Sequence, residues 1–209
     1  YTAPAIIRDW DINRELMTPV FQSSIFGWMM GALTFSMIAD AIGRRNAMVF
    51  AAVMFGGFTY LISYSSNLWE LSFFRFWASF GVGGAMPMAI ALISDYTPSK
   101  RRGLLITGLF LGYSIGSSGG GFLAAELIVA YGWQSVFQVG GVVAIIIGII
   151  LVFTLPESVR YLLVKNAPQD KIHAYVKRMQ PTKEIAPGTE YFIAEAKKKK
   201  GVPLSFLFR

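Results

Sequence analysis

Five stretches of this chain, 19–39, 46–64, 71–94, 103–131 and 134–155, are long, almost uniformly apolar and nearly free of charge. About 20 such residues cross the hydrocarbon core of a bilayer as a helix. The runs are too long for buried strands and lack the alternation of a membrane barrel. In lipid, backbone polar groups must be satisfied within the spanning element, so the runs imply an all-α polytopic bundle. The rest of the composition agrees. Charged residues make up 15 % of the 209, against about 25 % in an ordinary soluble domain. There is no Cys, which excludes a disulfide scaffold, Cys-based zinc sites and Cys nucleophiles. A single His leaves little for a triad or a metal. No enzyme, metal or cofactor is implied.

The chain opens on Tyr1 and closes on an apolar stretch at 204–208, with no basic n-region before a short apolar run. It reads as an internal piece of a longer protein. Three parts follow: the end of a preceding helix with an external loop at 1–18, five spans within 19–155, and a polar tail at 156–209 that forms a linker towards a further helix.

Lysine and arginine at the span ends set the orientation. Arg44 and Arg45 lie in the first connection, and Lys100, Arg101 and Arg102 in the third. The tail holds 11 Lys/Arg against 5 Asp/Glu. The two intervening connections hold neither Lys nor Arg. Connections 40–45 and 95–102 and the tail are therefore expected on the cytoplasmic side of the cell's inner (plasma) membrane. Tyr60, Tyr64, Trp69, Tyr131 and Trp133 form the aromatic belt at the other face. The basic run 197–200 reads as a solvated linker near anionic lipid, and no nucleic-acid partner is implied.

Small residues let membrane helices approach closely. Gly27 and Gly31 are spaced i+4, with Ser23 and Ser24 a turn earlier. Gly81, Gly83 and Gly84 precede Pro87, and Gly108, Gly112 and Gly116 form a stripe that reads as a packing seam. Only Arg75 and Glu126 stand well inside the apolar runs. A charge there faces a cavity or a partner, or snorkels to the interface. Arg75 shares a helix face with Ser79 and Gly83, and its guanidinium suits a carboxylate. Glu126 can reach water or pair with Arg75. Tyr113 and Ser117 are polar candidates for the same cavity, or for ordinary interhelical hydrogen bonds.

Four motifs in order carry a family resemblance. Ala39-Asp40-Ala41-Ile42-Gly43-Arg44-Arg45 resembles the loop signature G-x-x-x-D-x-x-G-R-R of the major facilitator superfamily. Arg75 with Gly81, Gly83 and Gly84 resembles its R-x-x-x-G-x-G-x-G helix. Ser94-Asp95-Tyr96-Thr97-Pro98 with Arg102-Gly103 resembles its E-Y-x-P-x-x-x-R-G loop, and Pro156-Glu157-Ser158-Val159-Arg160-Tyr161-Leu162 its P-E-S-P-R-[YFW]-L sequence. Ser36, Ala41, Ser79, Asp95 and Val159 depart from these patterns without changing a charge sign. The resemblance implies the N-terminal six-helix half of a major facilitator fold, lacking most of helix 1. The C-terminal half of the same transporter is then its partner in the membrane.

The motif charges suggest a cytoplasmic gate of Asp40, Gly43, Arg44, Arg45, Asp95, Arg102, Glu157 and Arg160. Asp40 is expected to pair with a nearby arginine. A network formed only when that side is closed biases a two-state equilibrium. Plain topology determination is the alternative for the arginines.

Within the superfamily, Gly132-Trp133-Gln134-Ser135-Val136-Phe137-Gln138-Val139-Gly140-Gly141, Tyr1-Thr2-Ala3-Pro4-Ala5 with Asp9-Trp10, and Gly83-Gly84-Ala85-Met86-Pro87 are most similar to the aromatic acid:proton symporters. That resemblance implies uptake of a benzoate-type or phenylpropionate-type anion with protons, with Arg75, Ser79, Tyr113 and Ser117 as substrate-binding candidates and Glu126 as an ion-pair or proton site. A sugar or polyol symporter shares the loop motifs, but no Gln or Asn stands mid-span here to meet hydroxyls. The Gly-Pro pair of antiporters is absent from the fourth run, and a non-transporting adaptor does not need Arg75.

Overall fold

The computed structural model describes residues 1–155. Six helices follow one another: α1 (Ala3–Asp9), α2 (Thr18–Ile42), α3 (Arg44–Ile62), α4 (Leu68–Tyr96), α5 (Ser99–Tyr131) and α6 (Trp133–Thr154), with a 3-10 turn over Arg14–Met17. No strand occurs among the described residues.

Local chemistry sets the ends. Pro19 lies in the first turn of α2, where its missing N–H costs nothing. Gly43 stops α2 and starts α3 in one residue. Its φ of 95° suits glycine, its N–H donates to the Ala39 carbonyl and its carbonyl accepts from Ala47. Asn67 caps α4 by accepting from the Glu70 N–H at 2.9 Å, and the Glu70 carboxylate accepts from the Ser66 N–H at 2.9 Å. Thr97 is extended before Pro98, which ends α4. Gly132, at φ 82°, turns α5 into α6.

The connections expected at 40–45 and 95–102 thus shrink to Gly43 and to Thr97 with Pro98. Charged residues do not end a helix; positive-φ glycine and proline do. The apolar helices run on through them, so α4 reaches 29 residues.

Four helical stretches, Arg14–Ile42, α3, α4 and α6, are long and apolar enough to cross a membrane among the described residues. The fifth expected span, α5, has the length at 33 residues, but its glycines and serines add little apolar surface and it falls short on hydropathy. Large apolar side chains face outward along the bundle. Ile146, Ile147, Ile149 and Ile150 of α6 are about half exposed and Phe153 is 83 % exposed. An outer surface of that kind suits lipid, not water.

Two buried clusters hold the helices. One gathers Ile6, Met17, Val20, Ile62, Leu71, Ala78, Trp133 and Phe137. The other gathers Phe35, Ala39, Ala47, Met48, Ala51, Met88 and Leu92. Residues 1–17 are packed: Ile6 of α1 is 2 % exposed in the first cluster. Trp133 Nε1 donates to Asp9 Oδ2 at 2.9 Å, and Trp10 meets the Trp133 ring edge-on at 5.8 Å.

Between the clusters, α2 crosses α4 on glycines. A Cβ at Gly27 would strike the Phe76 carbonyl, one at Gly31 the Phe80 carbonyl, and one at Gly83 the Trp28 carbonyl. Gly56 of α3 and Gly141 of α6 meet in the same way. The α5 stripe differs. Gly108, Gly112 and Gly116 have nothing of the described chain within reach of an added Cβ. The seam expected there closes on none of these helices: a small residue permits close approach without specifying the partner.

Candidate functional site: a mid-helix arginine and a clamp of arginines at the helix ends

Arg75 lies in α4 one turn after Ser72, where α2 is held close. The Ser23 hydroxyl is shared between the Val20 carbonyl at 2.9 Å and the Ser72 carbonyl at 3.1 Å. Ser24 Oγ donates to Val20 O at 3.0 Å and accepts from Arg75 Nε at 3.0 Å. Arg75 is thus tied by one edge of its guanidinium. Among the described residues, Nη1 and Nη2 make no hydrogen bond or ion pair. A guanidinium held at Nε presents its paired N–H groups as a fork, the geometry that matches a carboxylate.

Ser24 was not among the sequence candidates, yet a signal for it existed. It shares a stripe with Gly27 and Gly31, and so faces whatever those glycines pack against. Of the candidates, Ser79 is half-buried one turn beyond Arg75, while Tyr113, Ser117 and Glu126 lie on the exposed surface of α5. The Ser117 carbonyl accepts from Tyr1 Oη at 3.3 Å. No described hydrogen bond or ion pair joins Arg75 to Ser79, Tyr113, Ser117 or Glu126.

The charged residues at the far helix ends converge more closely. Arg44 Nη1 and Asp95 Oδ2 form an ion pair at 2.5 Å, with both side chains about one-fifth exposed. Arg45 Nη2 donates to the Val152 carbonyl near the end of α6. Arg102 Nη2 donates to the Ser94 carbonyl near the end of α4 at 3.0 Å. Cations there meet the partial negative charge of helix C-termini. Asp40 is exposed, and Arg44, one of the arginines near it in sequence, pairs with Asp95. Gly43 is buried at the corner from which Arg44 and Arg45 start. Glu157 and Arg160 lie outside the described residues. Among the described residues, no three His, Cys, Asp or Glu side chains gather as a metal would need.

Apolar helices with lipid-type outer surfaces, glycine crossings, one arginine within a span and arginines tying helix ends define a multi-pass membrane protein. Residues 2–207 match the Major Facilitator Superfamily, and the chain belongs to that family.

Among its relatives, the 4-hydroxybenzoate transporter PcaK of Acinetobacter baylyi is 39 % identical over 201 residues, which is 96 % of this chain and 44 % of that protein. PcaK of Pseudomonas putida is 37 % identical over 197 residues, 94 % of this chain and 44 % of the relative. The gallate transporter of Pseudomonas putida is 33 % identical over 208 residues, all of this chain and 46 % of the relative. The chain therefore spans under half the length of the curated relatives it matches. A partially occluded inward open structure of the xylose transporter XylE from E. coli aligns with a TM-score of 0.65 at 21 % identity, covering 79 % of this chain and 44 % of that one. That likeness shows the fold.

Proposed function

We propose that the carrier containing this chain takes up a small aromatic carboxylate together with protons. The supporting observation is Arg75, a cation within a spanning helix whose paired Nη groups are left open by the tie to Ser24. A residue of that kind is expensive in a membrane and marks a ligand or partner. The names of the relatives supply the substrate class, a benzoate-type anion. Moving one negative charge into a cell held about 100 mV negative costs about 2.3 kcal/mol, and one co-transported proton cancels it. In this reading the Arg44–Asp95 pair with Arg45 and Arg102 closes the cytoplasmic side, Asp40 pairs in another conformation, and Glu157 and Arg160 extend the network. Ser79, Tyr113 and Ser117 line the path on the α4 and α5 sides, with Glu126 near its outer end. The second half of the carrier completes the cavity.

The test is uptake by cells expressing the full-length carrier. Labelled 4-hydroxybenzoate is expected to accumulate, a protonophore to abolish accumulation, and labelled glucose to stay outside. Glucose uptake without aromatic-acid uptake would move the protein to the sugar or polyol symporters. Accumulation insensitive to the protonophore would remove the proton from the proposal.

A further inference from the structure

The bond between Arg75 and Ser24 has a definite direction. Ser24 has one hydroxyl proton, and its 3.0 Å approach to the Val20 carbonyl uses it. Its lone pairs are then turned outward, where Arg75 Nε–H donates at 3.0 Å. The result is a relay from the guanidinium of α4 through a hydroxyl of α2 to a backbone carbonyl one turn earlier. The relay cannot reverse, because arginine has no acceptor.

The backbone around the relay is held closely. Ser23 Oγ, beside Ser24, lies within hydrogen-bond distance of both the Val20 carbonyl at 2.9 Å and the Ser72 carbonyl of α4 at 3.1 Å, which share its one proton. Gly27, one turn further on, brings α2 against the Phe76 carbonyl, next to Arg75. Ser24 is fixed opposite Arg75 by two independent contacts and does not depend on Arg75 for its place. A long side chain has many rotamers, and a single bond at Nε removes most of that freedom while sparing both Nη groups.

We propose that Ser24 is the positioning residue of the substrate site: by holding Arg75 at Nε it aims the Nη1–Nη2 fork at the substrate carboxylate. The inference rests on the reading of Arg75 as the carboxylate ligand. It assigns Ser24 no contact with substrate. Its effect is on how much of the time the fork points the right way, which alters apparent affinity in proportion.

The test is a double-mutant cycle in the full-length carrier, with uptake normalised to the amount of carrier in the membrane. Ser24→Ala is expected to raise the half-saturation concentration for 4-hydroxybenzoate about tenfold, the order of one charge-assisted hydrogen bond. Maximal rate should stay within about twofold. Ser24→Thr, which keeps the hydroxyl, should restore affinity. Ser24→Cys, with a similar shape and a weak acceptor, should behave like Ser24→Ala and serves if the alanine variant inserts poorly. Added to Arg75→Ala, Ser24→Ala should cost nothing further, since the group it positions is gone. A neutral competitor, 4-hydroxybenzaldehyde, should inhibit wild type and Ser24→Ala alike.

If Arg75→Ala weakens uptake while Ser24→Ala does not, or if the two losses add, Ser24 is no positioning residue and the carboxylate reading of Arg75 stands. If Arg75→Ala leaves affinity intact, the carboxylate reading falls and the role of Ser24 falls with it.

Discussion

Arg44 and Asp95 meet at 2.5 Å, although each stands at the end of its own helix that disfavours its charge. Arg44 is the first residue of α3 and Asp95 is in the last turn of α4. Helix N-termini carry partial positive charge and C-termini partial negative charge. Each side chain is therefore favoured by the neighbouring helix and by its partner, and opposed by its own. The pair works as a tie between α3 and α4 whose value disappears when those ends part.

If the pair belongs to the proposed gate, Asp95→Asn should cost its closed arrangement about 1 kcal/mol, about fivefold in a two-state equilibrium. Uptake by the full carrier should fall several-fold with normal insertion, and the exchange of Arg44→Asp with Asp95→Arg should recover part of it. Asp40→Asn should insert normally and also lower uptake. Normal transport by a correctly inserted Asp40→Asn carrier would remove Asp40 from the gate.

Arg75→Lys keeps the charge and loses both the Nε–H bonded to Ser24 and the planar fork. The half-saturation concentration for an aromatic carboxylate should rise about 10- to 100-fold, the size of one to two charge-assisted hydrogen bonds. Equal affinity in the lysine variant would show that a point charge is enough and that fork geometry is irrelevant.

Gly31→Ala drives a Cβ into the Phe80 carbonyl, a backbone atom that cannot rotate away. The expected loss is about 1–3 kcal/mol, seen as a lower unfolding temperature of the purified carrier. Gly57→Ala is the control. Nothing of the described chain lies within 4 Å of a Cβ there, so the better helix former should leave that temperature unchanged or raise it slightly.

Trp133→Phe preserves most of a ring that is 3 % exposed but deletes the N–H donated to Asp9. About 1–2 kcal/mol should be lost, and residues 1–17 should become easier to cleave by protease from the side they face. Unchanged cleavage would show that apolar packing of Ile6 alone holds α1 down.

Helix identity, four of the five expected spans and the use of Gly27 and Gly31 were legible in the sequence, because long apolar runs and small-residue spacing report directly on lipid and on close approach. Helix ends were less so. Arg44, Arg45 and Arg102 mark where water begins, and the chain remains helical there until Gly43 or Pro98 forbids it. Pairing across elements was hardest to see. Asp40 is as close to Arg44 in sequence as Asp95 is distant, yet Asp95 is the partner, because the crossing of α3 and α4 sets the distance. Ser24 carried a readable phase with Gly27 and Gly31 and still went unassigned, since one hydroxyl has no signature without its partner. Asp9 and Trp133 are 124 residues apart and had no pattern to link them.

The corner at Gly43 has a mechanical consequence. α2 leaves it backward and α3 forward with no further residue between them, so the only slack in the joint is the pair of backbone torsions of Gly43. A tilt of α2 cannot be absorbed by a lengthening loop; it is taken up at Gly43 or reaches the first turn of α3. The residues standing there are Arg44 and Arg45, whose far ends grip α4 and α6. A displacement of α2 that the two torsions of Gly43 do not take up therefore bears directly on these fastenings.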